Sequence, residues 1–389
     1  MNYRTSISIA FCFFFQLLLS AGAEPEQHKP LKTLYVDHFL VGNILAGGID
    51  ASSDLPFRQD KRELALLVGE FNCLTAENSM KMQYLQPEEG VFNFNSSDAL
   101  VDLAEAAKME VVGHALVWHH QVPSWIFVDD RGERVSREVL IERMRTHIFT
   151  VMQRYKGRVK YWDVVNEAVD LKFVEGEQVA FLRKSPWYEI IGEDYIELAY
   201  RFAHEADPNA LLLYNDYSMT DLVKTEFVAN MVADLKAKGI PIHGVGMQGH
   251  WHLEWPEKKD LRKALDILSA VGVQISVSEL DIRVLPHPDD TEMGADIRLN
   301  VKRMKELDPY TDGVPKSVLK KQAKKYAELF KVFIDYSDVI ERVSFWGVVD
   351  QYSWLRDWPV KGRTVYPSLF DRAYKPKLAY YALRNLIKK

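Results

Sequence analysis

Two glutamates stand where short apolar stretches of the sequence end. Glu167 closes "YWDVVNE", whose residues 162–165 are apolar and β-branched enough to form a buried strand, and Glu279 closes "QISVSE". An ionisable group at the tip of a buried strand indicates a local ion pair, a helix cap or catalysis. A pair of carboxylates suits glycoside hydrolysis, in which one protonates the leaving oxygen and the other attacks or activates water. These roles require different pKa values and therefore different surroundings.

The residues near Glu279 in the sequence suit an ionised carboxylate. His250 can donate a hydrogen bond to it, and Asp281 can orient that histidine. We therefore expect Glu279 to act as the nucleophile, with Asp281 in a supporting role. Glu167 has no obvious cation beside it in the sequence, which is consistent with an acid that carries a proton.

The other residues that follow the apolar stretches have side chains suited to a sugar. The indole faces of Trp118, Trp346 and Trp354 can stack on the apolar side of pyranose rings. The predicted strand ends also carry polar side chains, of which Glu77, Asn78, Lys81, Gln121 and Asn166 can hydrogen-bond hydroxyl groups. The further polar strand-end residues are His114, Asn215, Asp216, Gln248 and Asp350. A helix cap or a local ion pair explains any one of these residues. Neither predicts polar or aromatic residues at seven of the eight strand ends.

Metal binding is the alternative role for the histidines. His119, His120, His243, His250 and His252 are scattered over strands and loops, without a set of thiolates or an HExxH spacing. We therefore expect no catalytic metal and no cofactor, and we interpret His120, His243 and His252 as structural or surface residues.

The positions of the apolar stretches predict the fold. Eight strand candidates alternate with amphipathic helical segments such as "SREVLIERMRTHIFTVMQRY". Eight strands, each followed by a helix, predict an α/β fold, a single (β/α)8 TIM barrel. The candidates are 40–47, 71–77, 111–118, 161–166, 211–215, 244–249, 274–279 and 343–349. The irregular segment from Asp281 to about Pro315 is expected to be functional or mobile because of its length.

Composition and the first residues limit the setting in which the protein works. The net charge of −6 argues against a nucleic-acid partner. Arg4 precedes an apolar run that ends near Leu19, and Ala21-Gly22-Ala23 resembles a cleavage site. We expect residues 1–23 to be a signal peptide, residues 24–389 to form the barrel, and the mature protein to be secreted, either periplasmic or extracellular. Cleavage leaves Cys73 as the one cysteine, so no internal disulfide is expected. A monomer that does not associate with membranes is expected.

Six ordered motifs of the sequence resemble those of a known family. "GHALVWHHQVPSW", "WDVVNEAVD", "LLLYNDY", "GVGMQGH", "SVSELDI" and "FWGVVDQYSW" look like the successive strand-end motifs of glycoside hydrolase family 10, the endo-β-1,4-xylanases. The similarity covers roughly residues 40–386. The family has a threonine where this chain has Ser278, and both residues carry a hydroxyl group.

The resemblance implies a role for each candidate residue. Glu167 would be the acid/base and Glu279 the nucleophile of a retaining double displacement. The sugar subsite beside the scissile bond would contain Asn166, His114, Trp118, Gln248, His250, Trp346 and Trp354, and the glycone side Glu77, Asn78, Lys81 and Gln121. We interpret the chain as a secreted endo-xylanase acting on xylan and xylo-oligosaccharides. The alternatives are another β-1,4-glycanase, such as a cellulase or aryl-cellobiosidase, and a carbohydrate-binding barrel without activity, which the presence of both glutamates disfavours.

Overall fold

A closed barrel of eight parallel strands forms the centre of the molecule. The computed structural model describes residues 29–46, 58, 60–286, 304–359 and 361–387. The described residues contain eleven strands, of which all but β5, β6 and β9 belong to the barrel. They are β1 (Leu40–Leu45), β2 (Cys73–Ala76), β3 (Glu110–Val117), β4 (Tyr161–Asn166), β5 (Val169–Val174), β6 (Glu177–Leu182), β7 (Leu211–Asp216), β8 (Gly244–Met247), β9 (His250–His252), β10 (Gln274–Arg283) and β11 (Ile340–Phe345). The barrel order is β1-β2-β3-β4-β7-β8-β10-β11, and β11 pairs with β1 to close it. The predicted TIM barrel is confirmed.

Helices connect the strands around the outside of this barrel. They are Leu31–Leu34, Lys61–Glu70, Met82–Leu85, Asn95–Ala106, Arg137–Arg154, Pro186–Ile191, Tyr195–Ala206, Leu222–Ala237, Lys258–Ala270, Met304–Leu307, Lys316–Asp335 and Leu378–Ile387, with short 3-10 turns at Ser124–Ile126, Asp350–Tyr352 and Trp354–Arg356. Within the part of the chain that the structure describes, none of them combines the length and apolar character needed to cross a bilayer.

The helix Arg137–Arg154 shows how the sequence pattern produces these elements. The side chain of Ser136 accepts a hydrogen bond from the backbone N–H of Val139, which caps the first turn. Its buried residues Leu140, Met144, Ile148 and Val151 recur at a spacing of three or four, so one apolar face packs on the barrel. The 20-residue helix Lys316–Asp335 begins directly after Pro315 and carries a comparable buried stripe.

Side chains at successive strand positions alternate between the barrel interior and the core beneath the helices. On β4, Tyr161 faces the interior, and Trp162 faces the helices near Tyr155. Trp162 of β4 is 1% exposed, and its ring lies against Gly113 of β3. A Cβ atom at Gly113 would lie 2.2 Å from two ring carbons of Trp162, so this position requires glycine. Cys73 is a free, fully buried cysteine that packs with Val112 and Tyr161, as the apolar sequence around it suggests.

The structure differs from the sequence prediction in two unpredicted elements and in several strand ends; β10, for example, continues to Arg283, four residues beyond the predicted 274–279. An antiparallel hairpin, β5–β6, follows β4, and the short strand β9 pairs with β10; neither is among the predicted strands. The predicted last strand extends too far, because β11 ends at Phe345 before a turn at Gly347 with a φ of +144°. The proposed signal peptide and residues 287–303 of the long segment after Asp281 lie outside the described residues.

Candidate active site

The two glutamates lie at the carboxyl ends of β4 and β10, on the same side of the barrel. Glu167 directly follows β4, and Glu279 lies within β10 at a break in its pairing with β11 between Val277 and Leu280. Two strands, β7 and β8, separate them around the barrel. In a parallel barrel the carboxyl ends of all strands surround one cleft, so both side chains reach the same site.

Glu279 is buried and receives two hydrogen bonds. Its Oε1 accepts from Nδ2 of Asn215 at 2.7 Å, and its Oε2 lies 3.1 Å from Nε2 of His250. Burial alone would raise the pKa of Glu279. The hydrogen bond and charge of His250, the charge of His114 and the amide of Asn215 outweigh that penalty, so the pKa lies below its usual range. The carboxylate is therefore ionised and oriented.

His250 is held in place by its other ring nitrogen. Its Nδ1 lies 2.8 Å from Oδ2 of Asp281, and the same oxygen accepts a hydrogen bond of 2.9 Å from the indole of Trp354. Burial lowers the pKa of His250, but the two carboxylates beside it, Asp281 first, outweigh burial and raise the pKa to about 10. His250 is therefore a cation at neutral pH. The contacts expected between Asp281, His250 and Glu279 are present.

Glu167 has different neighbours. Its Oε2 accepts a hydrogen bond of 2.9 Å from the indole of Trp118, and its Oε1 accepts from the amides of Gln248 at 2.8 Å and Asn166 at 3.3 Å. All three donors are neutral groups. Half-buried Glu167 thus lacks the cationic hydrogen-bond partner that Glu279 has in His250. The edge of the Trp118 ring that carries the N–H therefore faces Glu167.

Asn215 joins the two halves of the site, which the sequence analysis did not predict. Its Nδ2 donates both to Glu279 and, at 3.0 Å, to Oδ1 of Asn166. Its Oδ1 accepts a hydrogen bond of 2.6 Å from the hydroxyl of Ser278, which fixes which way the amide faces. A Cβ at Gly246 would lie 2.2 Å from Oδ1 of Asn215, so glycine is required beside it. Asn215 was noted only as a strand-end residue.

His114 is supported by a residue that the sequence analysis did not select. Its Nδ1 lies 2.8 Å from Oδ2 of Asp163, and both side chains are buried. The ring of Trp346 meets His114 edge to face at 5.6 Å and also approaches His250 at 6.3 Å. Asp163 is a charged residue inside the apolar β4 sequence, and that placement was the available signal.

The residues predicted for the glycone side form a second cluster. Nζ of Lys81 donates to Oε1 of Gln121 at 2.7 Å and to Oδ1 of Asn78 at 3.2 Å, and Gln121 also donates to Asn78. Lys81 lies over the ring of Trp118, 4.8 Å from its centre. Burial lowers the pKa of Lys81 and raises that of Glu77, while their mutual attraction opposes both changes. The cluster offers several donors and acceptors to hydroxyl groups.

In the described part of the chain, the histidines interpreted as structural make no hydrogen bond to either catalytic carboxylate. The rings of His120 and its neighbour His119 are tilted by 48° with their centres 4.2 Å apart, and His120 meets Trp118 edge to face. Burial lowers the pKa of His119 to about 3. Nδ1 of His243 accepts from the backbone of Leu212 near the start of β7. His252 faces Glu254 at 3.5 Å. Among the described residues, no group of three or more His, Cys, Asp or Glu side chains is arranged to hold a metal ion.

Comparisons with known proteins identify the family to which this chain is related. The model of glycosyl hydrolase family 10 matches residues 31–386. A relative from Xylanibacter ruminicola, named endo-1,4-beta-xylanase A, is 43% identical over 93% of this chain and 94% of its own length. An endo-1,4-beta-xylanase from Geobacillus stearothermophilus is 43% identical over 83% of this chain and 91% of its own. A solved GH10 endoxylanase from a sugarcane soil metagenome superposes with a TM-score of 0.82 at 42% identity, covering 92% of this chain and all of that one.

Proposed function

The chain belongs to glycosyl hydrolase family 10, and on that premise we propose that it is a retaining endo-1,4-β-xylanase that cleaves internal bonds of xylan. The observation that carries the proposal is the contrast between the two glutamates. Glu279 is bonded to a cationic histidine, whereas neutral indole and amide groups bind Glu167. A buried anion and a carboxyl with neutral partners, facing one cleft, suit a nucleophile and a proton donor.

In the first step Glu279 attacks the anomeric carbon and the bond to the leaving oxygen breaks. Glu167 gives its proton to that oxygen, so the leaving chain departs as an alcohol and a glycosyl ester remains on Glu279. Asn166, whose Oδ1 accepts a hydrogen bond from Asn215, is the group that we expect to hydrogen-bond the sugar 2-hydroxyl. That bond strengthens as positive charge develops on the ring.

In the second step water cleaves the ester. Glu167, now ionised, takes a proton from the water as its oxygen attacks the anomeric carbon, and the carboxylate of Glu279 is released. Each step inverts the configuration of the anomeric carbon, so the two steps together retain it. His250 favours both the ionised nucleophile at the start and the carboxylate leaving group at the end, because its charge stabilises the anionic form of Glu279. These two reaction steps require no cofactor.

Xylose lacks the hydroxymethyl group of glucose, so the selectivity rests on crowding near C5. Trp346, Trp354 and Gln121 are the groups that we expect to exclude that substituent. Trp354 is anchored by its bond to Asp281 and stacks on Trp358, with the ring centres 5.0 Å apart. An anchored ring cannot easily move aside for a bulkier sugar.

The test is hydrolysis of xylan, carboxymethylcellulose and an aryl β-xylobioside by the purified protein. We expect rapid cleavage of xylan and the xylobioside and much slower cleavage of carboxymethylcellulose. Comparable rates on the two polymers would contradict the xylanase assignment and leave a general β-1,4-glycanase. Binding of xylan without hydrolysis of any substrate would identify the barrel as a carbohydrate-binding protein.

We further propose that the protein is exported as a monomer after cleavage near Ala23. The support is the sequence of residues 1–23, with Arg4 before an apolar run and small residues at the cut. Amino-terminal sequencing of the protein from the source culture, with fractionation of cells and medium, tests export. An intact Met1 in the cytoplasmic fraction would refute it. Light scattering of the purified protein tests the monomer, and a dimer mass would contradict it.

A further inference from the structure

The backbone of Glu167 has a conformation that its surroundings must maintain. Its φ of +58° lies in the left-handed region, which is unfavourable for a residue with a Cβ. Such conformations persist where neighbouring groups fix them, and they occur often at functional sites. Asn215 is one such neighbour, because its backbone carbonyl accepts a hydrogen bond of 2.9 Å from the backbone N–H of Glu167. The chain on the other side of Glu167 has its own supports.

Tyr214 binds the two peptide groups that follow Glu167. Its hydroxyl oxygen accepts hydrogen bonds of 3.1 Å from the N–H groups of both Ala168 and Val169. Since both of these groups are donors, the hydroxyl proton must be directed elsewhere, and the hydroxyl donates it to Oδ2 of Asp216. Tyr214 is fully buried, so bulk solvent does not reach this hydroxyl.

Asp216 is in turn held by a buried lysine. Nζ of Lys224 lies 2.7 Å from Oδ1 of Asp216, and both side chains are completely buried. The ammonium also lies 3.8 Å from the centre of the Tyr217 ring. Lys224 belongs to the first turn of the helix Leu222–Ala237, which is anchored outside the barrel. A continuous chain of contacts therefore runs from that helix through Asp216 and Tyr214 to the peptides after Glu167.

Arg183 supplies an independent contact from the hairpin side. Its Nε donates to the carbonyl of Glu167 at 3.1 Å, and its other guanidinium nitrogens bind the hydroxyl of Tyr217 at 2.7 Å and the carboxylate of Asp170 at 2.9 Å. The N–H of Arg183 also bonds the carbonyl of Ala168 at 2.7 Å. The peptide group before the Glu167 Cα is thus bonded to the backbone of Asn215, and the one after it to the side chains of Arg183 and Tyr214.

We propose that Tyr214, held by Asp216 and Lys224, is a positioning residue that aims the carboxyl of Glu167 at the leaving oxygen. None of the three contacts Glu279, whose hydrogen bonds come from Asn215 and His250. Loss of the Tyr214 hydroxyl should therefore impair proton donation more than nucleophilic attack. This inference rests on the proposed function, since it assigns a role within that reaction.

The test is Tyr214→Phe assayed on aryl β-xylobiosides whose phenols range from poor to activated leaving groups. A poor leaving group needs the proton from Glu167, whereas a dinitrophenolate departs without it. We expect kcat/KM to fall by roughly tenfold to a hundredfold on the phenyl xylobioside and by less than about threefold on the dinitrophenyl xylobioside. The matched control is Tyr35→Phe. Tyr35 precedes β1, far from the cleft, and its buried hydroxyl donates a hydrogen bond to the backbone carbonyl of Leu383. The control should lose no activity on either substrate.

A uniform loss across the series, or no loss, in a folded Tyr214→Phe would overturn the inference, because a general structural defect does not depend on the leaving group. If circular dichroism shows that this variant does not fold, Asp216→Asn, which removes the carboxylate that accepts from the Tyr214 hydroxyl, is judged by the same criterion. Wild-type protein that hydrolyses no aryl xylobioside would refute the proposed function itself. Active wild type with uniform losses in the variants would refute only the positioning role.

Discussion

His250→Gln separates the charge of His250 from its position. The amide nitrogen of glutamine can occupy nearly the place of Nε2, so a neutral hydrogen bond to Glu279 is retained while the positive charge is lost. In the wild type His250 is positively charged at neutral pH, because the carboxylates of Asp281 and Glu279 outweigh burial and raise its pKa to about 10. The variant therefore tests whether the cation keeps Glu279 ionised.

The expected magnitude follows from the contact geometry. Nε2 of His250 and Oε2 of Glu279 are 3.1 Å apart. With charge centres about 4 Å apart and an effective dielectric constant of about 20, the attraction is about 4 kcal/mol. The hydrogen bond that the glutamine retains to Glu279 preserves part of this attraction. Glu279 must be ionised to attack, so activity falls as the pH drops through its pKa. Because losing the cation raises that pKa, the acid limb of kcat/KM should move up by about one to three pH units.

The assay is kcat/KM on a dinitrophenyl xylobioside between pH 3.5 and about 8, the range in which ordinary carboxyl and imidazole groups titrate. This substrate needs no proton from Glu167, so the acid limb reports the nucleophile. The control is His147→Asn, at a buried histidine that bonds Gln86 and whose pKa burial lowers to about 3, so no charge is lost there. A His250→Gln limb that coincides with that of the wild type would refute the electrostatic role of His250.

Three further substitutions test other parts of the account. Glu167→Ala should lower the rate on xylan by about 10²–10⁴-fold, but much less on a dinitrophenyl xylobioside; equal losses would contradict its role as the acid. Asn215→Ala removes a donor to a carboxylate, so kcat/KM should fall roughly tenfold to a hundredfold, and an unchanged value would show that the contact is incidental. Gly113→Ala places a methyl group 2.2 Å from Trp162. Overpacking should lower the free energy of unfolding in urea by about 1–3 kcal/mol; an unaltered midpoint would mean that the ring moves freely.

The barrel was predictable because its strands have strong local signals. Segments such as 161–166 are short, apolar and β-branched, and they alternate with helices capped by residues such as Ser136. The β5–β6 hairpin was missed although it has a local signal. Glu175 and Gly176 both have positive φ, at +53° and +88°, as a two-residue hairpin turn requires. Glutamate in place of the usual Asn or Asp obscured that turn.

The site was predictable residue by residue but not contact by contact. Strand-end position identified Glu167, Glu279 and His250, because barrel geometry brings those ends together. The connections of Asn215 join residues 49 and 64 positions away in the sequence, so no local spacing reveals them. The same holds for Asp163, whose partner His114 is 49 positions away. Such contacts depend on strand register, which the amino-acid pattern alone does not fix.

The central claim is that Glu279 forms a covalent bond to the sugar, and trapping that bond tests it most directly. An activated dinitrophenyl 2-deoxy-2-fluoro-β-xylobioside slows both steps but keeps a good leaving group, so the glycosyl ester should accumulate. Peptide mapping by mass spectrometry should then find one fluoroxylobiosyl group per chain on the peptide that contains Glu279. A label on any other residue, or no label on an enzyme that hydrolyses the unfluorinated substrate, would contradict the account.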